Sequence, residues 1–247
     1  MVFITAIFAF ALPIGLLIYW RKKTGLSIIP FACGAACFLM FAMVLEQFLH
    51  SICLVSDNPV SRAINSSKVL YVLYGCLSAG IFEETGRLFG FKFMLPRYQE
   101  KEASVAYGIG HGGIEVLLTL GMSYLMLSLV QMGISLGDAE TNEIFLETLR
   151  TTSAGTMALA MLERVAAMML HIGLSIMVFM AVNRPGKKIF YPLAILLHAL
   201  ADVVVAMYQL GMVQSLGLVE VYVTLCSAAI FAFGISLYCR MDDGNNN

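Results

Sequence analysis

Eight ionisable residues fall inside apolar stretches. Glu83, Glu84 and Arg87 share one stretch, His111 and Glu115 a second, His171 a third, and His198 and Asp202 a fourth. These residue types suit hydrolysis. A carboxylate can take a proton from water and return it to a leaving group. Imidazole N–H donors can hold an oxyanion as it develops. The spacing is coherent as well. Glu83 and Arg87, His111 and Glu115, His171 and Ser175, and His198 and Asp202 are each four residues apart, and Glu84 and Arg87 are three apart. Side chains at these separations share a helix face. Arg87 can neutralise one glutamate and hold its rotamer, which leaves the other to face the histidines.

The elements that position these residues are membrane helices. The chain has 247 residues, of which 60% are hydrophobic and 13% charged, with mean hydropathy +0.84. Soluble domains carry about 25% charged residues. A net charge of −1 gives no field that favours nucleic acid, so no nucleic-acid partner is expected. Seven stretches approach the roughly 20 apolar residues a span needs: 2–20, 27–49, 69–95, 103–131, 155–183, 189–210 and 216–239. The expected fold is all-α, a polytopic integral membrane helix bundle forming one domain over 1–247. The motif helices are 69–95, 103–131, 155–183 and 189–210. The acidic connection 133–152 contains a candidate interfacial helix at 142–149, and the polar tail 242–247 is expected to be disordered.

Lys and Arg set the orientation. Ten lie in one set of connections: Arg21, Lys22, Lys23, Lys92, Arg97, Lys101, Arg184, Lys187, Lys188 and Arg240. Three, Arg62, Lys68 and Arg150, lie in the other set. The bias predicts an outside N-terminus, a cytoplasmic C-terminus and seven spans in the lipid bilayer.

A charge at a helix centre costs about 2.5–3.5 kcal/mol on the insertion scale. Glu83, Glu84, Arg87, Glu115 and Asp202 facing lipid would together cost about 15 kcal/mol, comparable with the whole stability of an ordinary protein. They must face one another or water. At about 1.5 Å of rise per residue, Glu84, His111 and His198 lie about 13–15 Å above the cytoplasmic ends of their spans. His171, Glu115 and Asp202 lie about 18–20 Å up. Four helices thus place polar groups in one slab. Gly108, Gly110, Gly112 and Gly113 surround His111. They are expected to let the 103–131 helix approach the 69–95 helix closely and to allow a kink.

Other polar features read more plainly. Glu46 and His50 are expected at the solvated end of the second span. Glu163 and Arg164 are ambiguous, within the site or in its outer wall. Cys33 and Cys37 share a face but lack further ligands nearby in sequence, so the six cysteines and sixteen methionines read as packing.

The motifs, taken in order, resemble known membrane proteases. Glu83-Glu84-Thr85-Gly86-Arg87 resembles the first signature of the CPBP (CAAX protease and bacteriocin-processing) and PrsW families. His111–Glu115 resembles their second motif, with His in place of Phe, and His198–Asp202 their third. The whole set, with Gly110–Glu115 and Glu163-Arg164 followed by His171, resembles the YhfC family of intramembrane metalloproteases. The resemblance covers the third to sixth spans. It implies peptide-bond hydrolysis on a membrane protein or peptide substrate in a bacterial cell membrane. Glu83 is then the general base, with Glu84 the second candidate, and Arg87, His111, His198 and Asp202 complete the catalytic set. His198 and Asp202 would orient the carbonyl or a metal.

Three histidines and a carboxylate would satisfy zinc, here His111, Glu115, His171 and His198. No HExxH is present, so such a site must be assembled from several helices. A metal-free glutamate route stands beside it. The alternative function is a proton-coupled transporter or ion pathway, since buried Glu, Asp and His chains form proton relays. That reading expects paired inverted halves and broken helices, which the sequence does not show. A heptahelical receptor fits the span count, but the last span is expected to carry no buried ionisable residue.

Overall fold

A computed structural model describes residues 1–241 and shows nine helices among them. The tail 242–247 lies outside the described residues. The helices are α1 (Val2–Thr24), α2 (Ile29–Val55), α3 (Pro59–Asn65), α4 (68–94), α5 (Glu102–Gln131), α6 (Ala139–Thr151), α7 (Ala154–Asn183), α8 (Phe190–Gln209) and α9 (Leu216–Arg240). Six of them, α1, α2, α5, α7, α8 and α9, are long and apolar enough to cross a membrane. The chain is therefore a polytopic, all-helical membrane bundle. The seventh stretch expected to span, 69–95, forms helix α4 but falls short of that apolar measure, so six of the seven expected spans are found among the described residues. The apolar character of α4 is diluted by Glu83, Glu84, Arg87 and Lys92, the residues that mark it as a motif helix. The interfacial helix expected at 142–149 is the core of α6, capped by the Asp138 carboxylate accepting from the Thr141 N–H.

The long helices alternate in direction. This gathers one face rich in Lys and Arg, called here the basic face. Hydrogen bonds tie each end together. At the basic face Trp20 donates to the Glu102 carbonyl at 3.1 Å, and the Tyr238 hydroxyl reaches Glu102 Oε1 at 3.2 Å. At the opposite face Lys68 Nζ donates to the Leu210 carbonyl at 3.0 Å. Helix α7 is the axis: 78% of its most apolar stretch is buried, against 22% for α8. It packs on α1, α4, α5, α8 and α9, and carries His171 and Ser175 into the interior. Exposed side chains such as Ile7, Phe48, Leu196, Leu218 and Leu225 suit a hydrocarbon surround.

The glycines of α5 work differently from the expectation. They bring α5 against α2, α7 and, at Gly113, Pro13 of α1, not against α4. A Cβ at Gly110 would stand 1.9 Å from the Phe31 carbonyl oxygen, and one at Gly108 2.7 Å from the Ile172 Cα. Gly112 faces Met168 and His171. The helix stays regular through the glycines, and its wide π turn comes later, at Leu117–Gly121. Two helix backbones therefore meet at the turn that carries His111. Gly110→Ala should lower stability by about 1–3 kcal/mol, because backbone cannot yield as a flexible side chain does. Thermal unfolding in detergent, with Gly75→Ala (open space around the Cβ) as control, checks this.

Candidate active site

Consecutive glutamates on α4 point to different partners. Glu84 is fully buried. Its Oε1 accepts from Arg87 Nη1 and lies 2.7 Å from His198 Nδ1. Glu83 lies one position back. Its Oε2 is 2.9 Å from His111 Nε2 and 3.8 Å from His171 Nδ1, while its Oε1 faces His198 Nε2 at 3.8 Å. Arg87, also fully buried, fans out between helices. It binds Glu84, donates to Ser175 Oγ at 3.2 Å, and places Nη2 2.6 Å from His171 Nδ1.

Donor chemistry fixes the tautomers. A guanidinium only donates, so with no metal bound His171 Nδ1 accepts and the ring proton sits on Nε2; a metal at Nδ1 would take the place of the Arg87 bond. Nε2 is bonded to Glu115 Oε2. Glu115 Oε1 in turn accepts from Arg164 at 2.9 Å, and Arg164 also binds Glu163 and the Thr119 hydroxyl. An ionised Glu84 only accepts. His198 therefore donates through Nδ1 and turns Nε2 toward Glu83 and Asp202, whose Oδ2 is 3.6 Å away.

These groups surround a cavity of about 180 Å³ lined by Glu83, Glu115, Glu163, Arg164, His171, His198 and Asp202, with Ala167, Leu170, Ala201, Val205, Val223 and Ser227. All eight sequence-singled residues thus converge. Glu83, Glu115, His171, His198 and Asp202 line the cavity, while Glu84, Arg87 and His111 stand behind them. Glu163 and Arg164 belong to the cavity wall. The ring centroids of His111 and His171 are 5.0 Å apart, and those of His171 and His198 5.9 Å.

One group among the described residues could hold a metal ion: Glu83, His111 and His171, with donor atoms all within 4.8 Å of one another. Two imidazoles and a carboxylate match the donor preference of zinc. Among the described residues, Arg87 pairs with Glu83 and Glu84, and Arg164 with Glu115 and Glu163, so acids outnumber arginines around the cavity. The buried His111 Nδ1 has no hydrogen-bond partner among the described residues. The grouping differs from the expected ligand set. Glu83 supplies the carboxylate, Glu115 sits on the far side of His171, and His198 is held by Glu84.

Sequence reasoning missed two acids. Glu46, expected at a solvated helix end, is only 6% exposed and accepts from Ser78 at 3.2 Å. The wide turn Leu39–Glu46 rotates it toward α4, which a regular 3.6-residue period would not show. Glu220 on α9 is also 6% exposed, so the last span does bury an ionisable residue. Its position five residues into the span reads as a helix end until α7 is seen packed over it.

The profile of the YhfC intramembrane metalloprotease family matches residues 8–223. The membrane protein YhfC of Bacillus subtilis (strain 168) is 34% identical over 230 residues, covering 89% of this chain and 88% of the relative. No solved structure matches the chain. The matched region contains all four motif helices and every cavity-lining residue except Ser227, and the chain belongs to the YhfC intramembrane metalloprotease family.

Proposed function

We propose that the chain is an intramembrane endopeptidase that hydrolyses a peptide bond of a membrane-associated protein or peptide in a bacterial cell membrane. One observation carries this reading: a cavity inside a membrane bundle holds His198 Nε2 3.8 Å from Glu83 Oε1 and 3.6 Å from Asp202 Oδ2. The cavity beside these atoms, about 180 Å³, has room for water. The Lys and Arg bias places the basic face in the cytoplasm, with α4 counted as a seventh crossing.

Glu83 takes a proton from the attacking water. The water oxygen bonds to the scissile carbonyl carbon, and the same proton passes to the amide nitrogen as the C–N bond breaks. His198, held by Glu84, and Asp202 orient the carbonyl end. His171, held between Arg87 and Glu115, fixes the opposite wall. Glu83, His111 and His171 would hold a zinc ion, which when bound polarises a carbonyl and acidifies water. The two oxygens of Glu83 divide these tasks, since Oε2 faces the imidazoles of the donor group and Oε1 faces His198.

The test is cleavage of membrane peptides in proteoliposomes, read by mass spectrometry, with His198→Ala as comparison. Products from the parent chain that vanish in a folded His198→Ala support the reading; identical products from both overturn it. Metal analysis is an independent check. We expect about one zinc per chain, as a single three-donor site allows, and its loss in His171→Ala. A metal-free preparation with full activity would leave the glutamate-only route.

A further inference from the structure

Helix α9 carries a polar stripe that the chemistry above does not use. Glu220, Thr224 and Ser227 follow one another at spacings of four and three, so they stack on one face. Glu220 Oε2, Thr224 Oγ1 and Ser227 Oγ are all buried without a hydrogen-bond partner among the described residues. Helical hydroxyls elsewhere in this protein do find one. Thr119, Ser123, Ser128 and Thr148 each bond to the carbonyl four residues back at 2.7–2.8 Å. Thr224 and Ser227 forgo that bond.

In hydrocarbon an unsatisfied polar group costs several kcal/mol, and each such group in a folded protein calls for a partner. The stripe has a direction. Glu220 lies about 6 Å along the helix from its start at Leu216, at the face opposite the basic one, and Ser227 lies about 10 Å deeper. Ser227 is fully buried and lines the catalytic cavity. The charged neighbours that Glu220 feels, Glu163 and Arg164, line that cavity too.

We propose that this stripe is a water inlet: a file of water molecules runs between α7 and α9, bonded in turn to Glu220, Thr224 and Ser227, and opens into the cavity at Glu83, His198 and Asp202. Its service to hydrolysis rests on the peptidase reading; its hydration does not. Hydrolysis within a membrane consumes water that lipid does not supply. A hydroxyl both donates and accepts, so Thr224 and Ser227 can pass each water along without holding it as a charge would.

Cysteine accessibility tests the inlet in the full chain. Thr224→Cys and Ser227→Cys change little in volume, and the lipid-facing Leu225→Cys (66% exposed) is the control. The probe is a small cationic methanethiosulfonate applied to proteoliposomes, with modification read at each peptide by mass spectrometry beside the native cysteines. Only the thiolate reacts, and it forms in water rather than lipid. Cysteines at 224 and 227 should therefore react at least about ten-fold faster than at 225. Rates no faster than at 225 overturn the inlet, even if cleavage of membrane peptides persists. Fast labelling in a chain that cleaves nothing supports the inlet and removes the peptidase reading instead.

Discussion

Glu83→Gln is expected to lower peptide cleavage by about 10²–10⁴-fold, the usual share of a positioned general base, while the bundle stays folded. The amide has the carboxylate's shape, so it still fits beside His111 and His198 but cannot take the proton. Glu84→Gln should act differently. Glu84 is fully buried and touches Arg87 and His198, not the cavity, so its loss should first weaken the hold on His198 and the stability. Turnover and thermal unfolding measured on both variants separate the roles. A Glu83→Gln protein that cleaves at the parent rate would remove Glu83 from the chemistry.

The polar cluster was legible because membranes make ionisable residues expensive. Each of Glu83, Glu84, Arg87, Glu115 and Asp202 needed a partner, and spacing on the helices placed those partners at one depth. The helices that carry them start and stop within a few residues of expectation, since apolar run length reports a span directly. Which oxygen meets which imidazole was not legible. That depends on rotation about helix axes, and one position on α4 separates Glu83 at the cavity from Glu84 behind it. Glu46 and the glycine contacts were hidden for a related reason. Wide turns shift the phase of α2, and a glycine permits close approach without naming the neighbour. The polar face of α9 is short-sided and uncharged but for Glu220, so its spacing carried little weight before α7 was seen against it.

Arg87→Met should destabilise the protein by about 3–5 kcal/mol, the range for stripping one partner from a buried ion pair. Methionine keeps the aliphatic stem and removes the guanidinium. Three groups lose their donor at once: Glu84, the Ser175 hydroxyl and His171 Nδ1. The first loss dominates, because Glu84 becomes a fully buried charge whose remaining contact is His198. Adding Glu84→Gln removes that charge. If the Arg87–Glu84 pair is the main term, the double variant should recover about 0.5–3 kcal/mol relative to the sum of the single changes. Reversible unfolding in mixed detergent micelles supplies the four stabilities of this cycle. Strict additivity would show that Arg87 acts through α7, by way of Ser175 and His171, and not through Glu84. The distinction bears on how the site is held. Through Glu84, Arg87 fixes the imidazole of α8; through His171, it fixes the wall supplied by α7. The fully buried position of both Arg87 and Glu84 favours the first, since the less water reaches a pair the more its charges depend on each other.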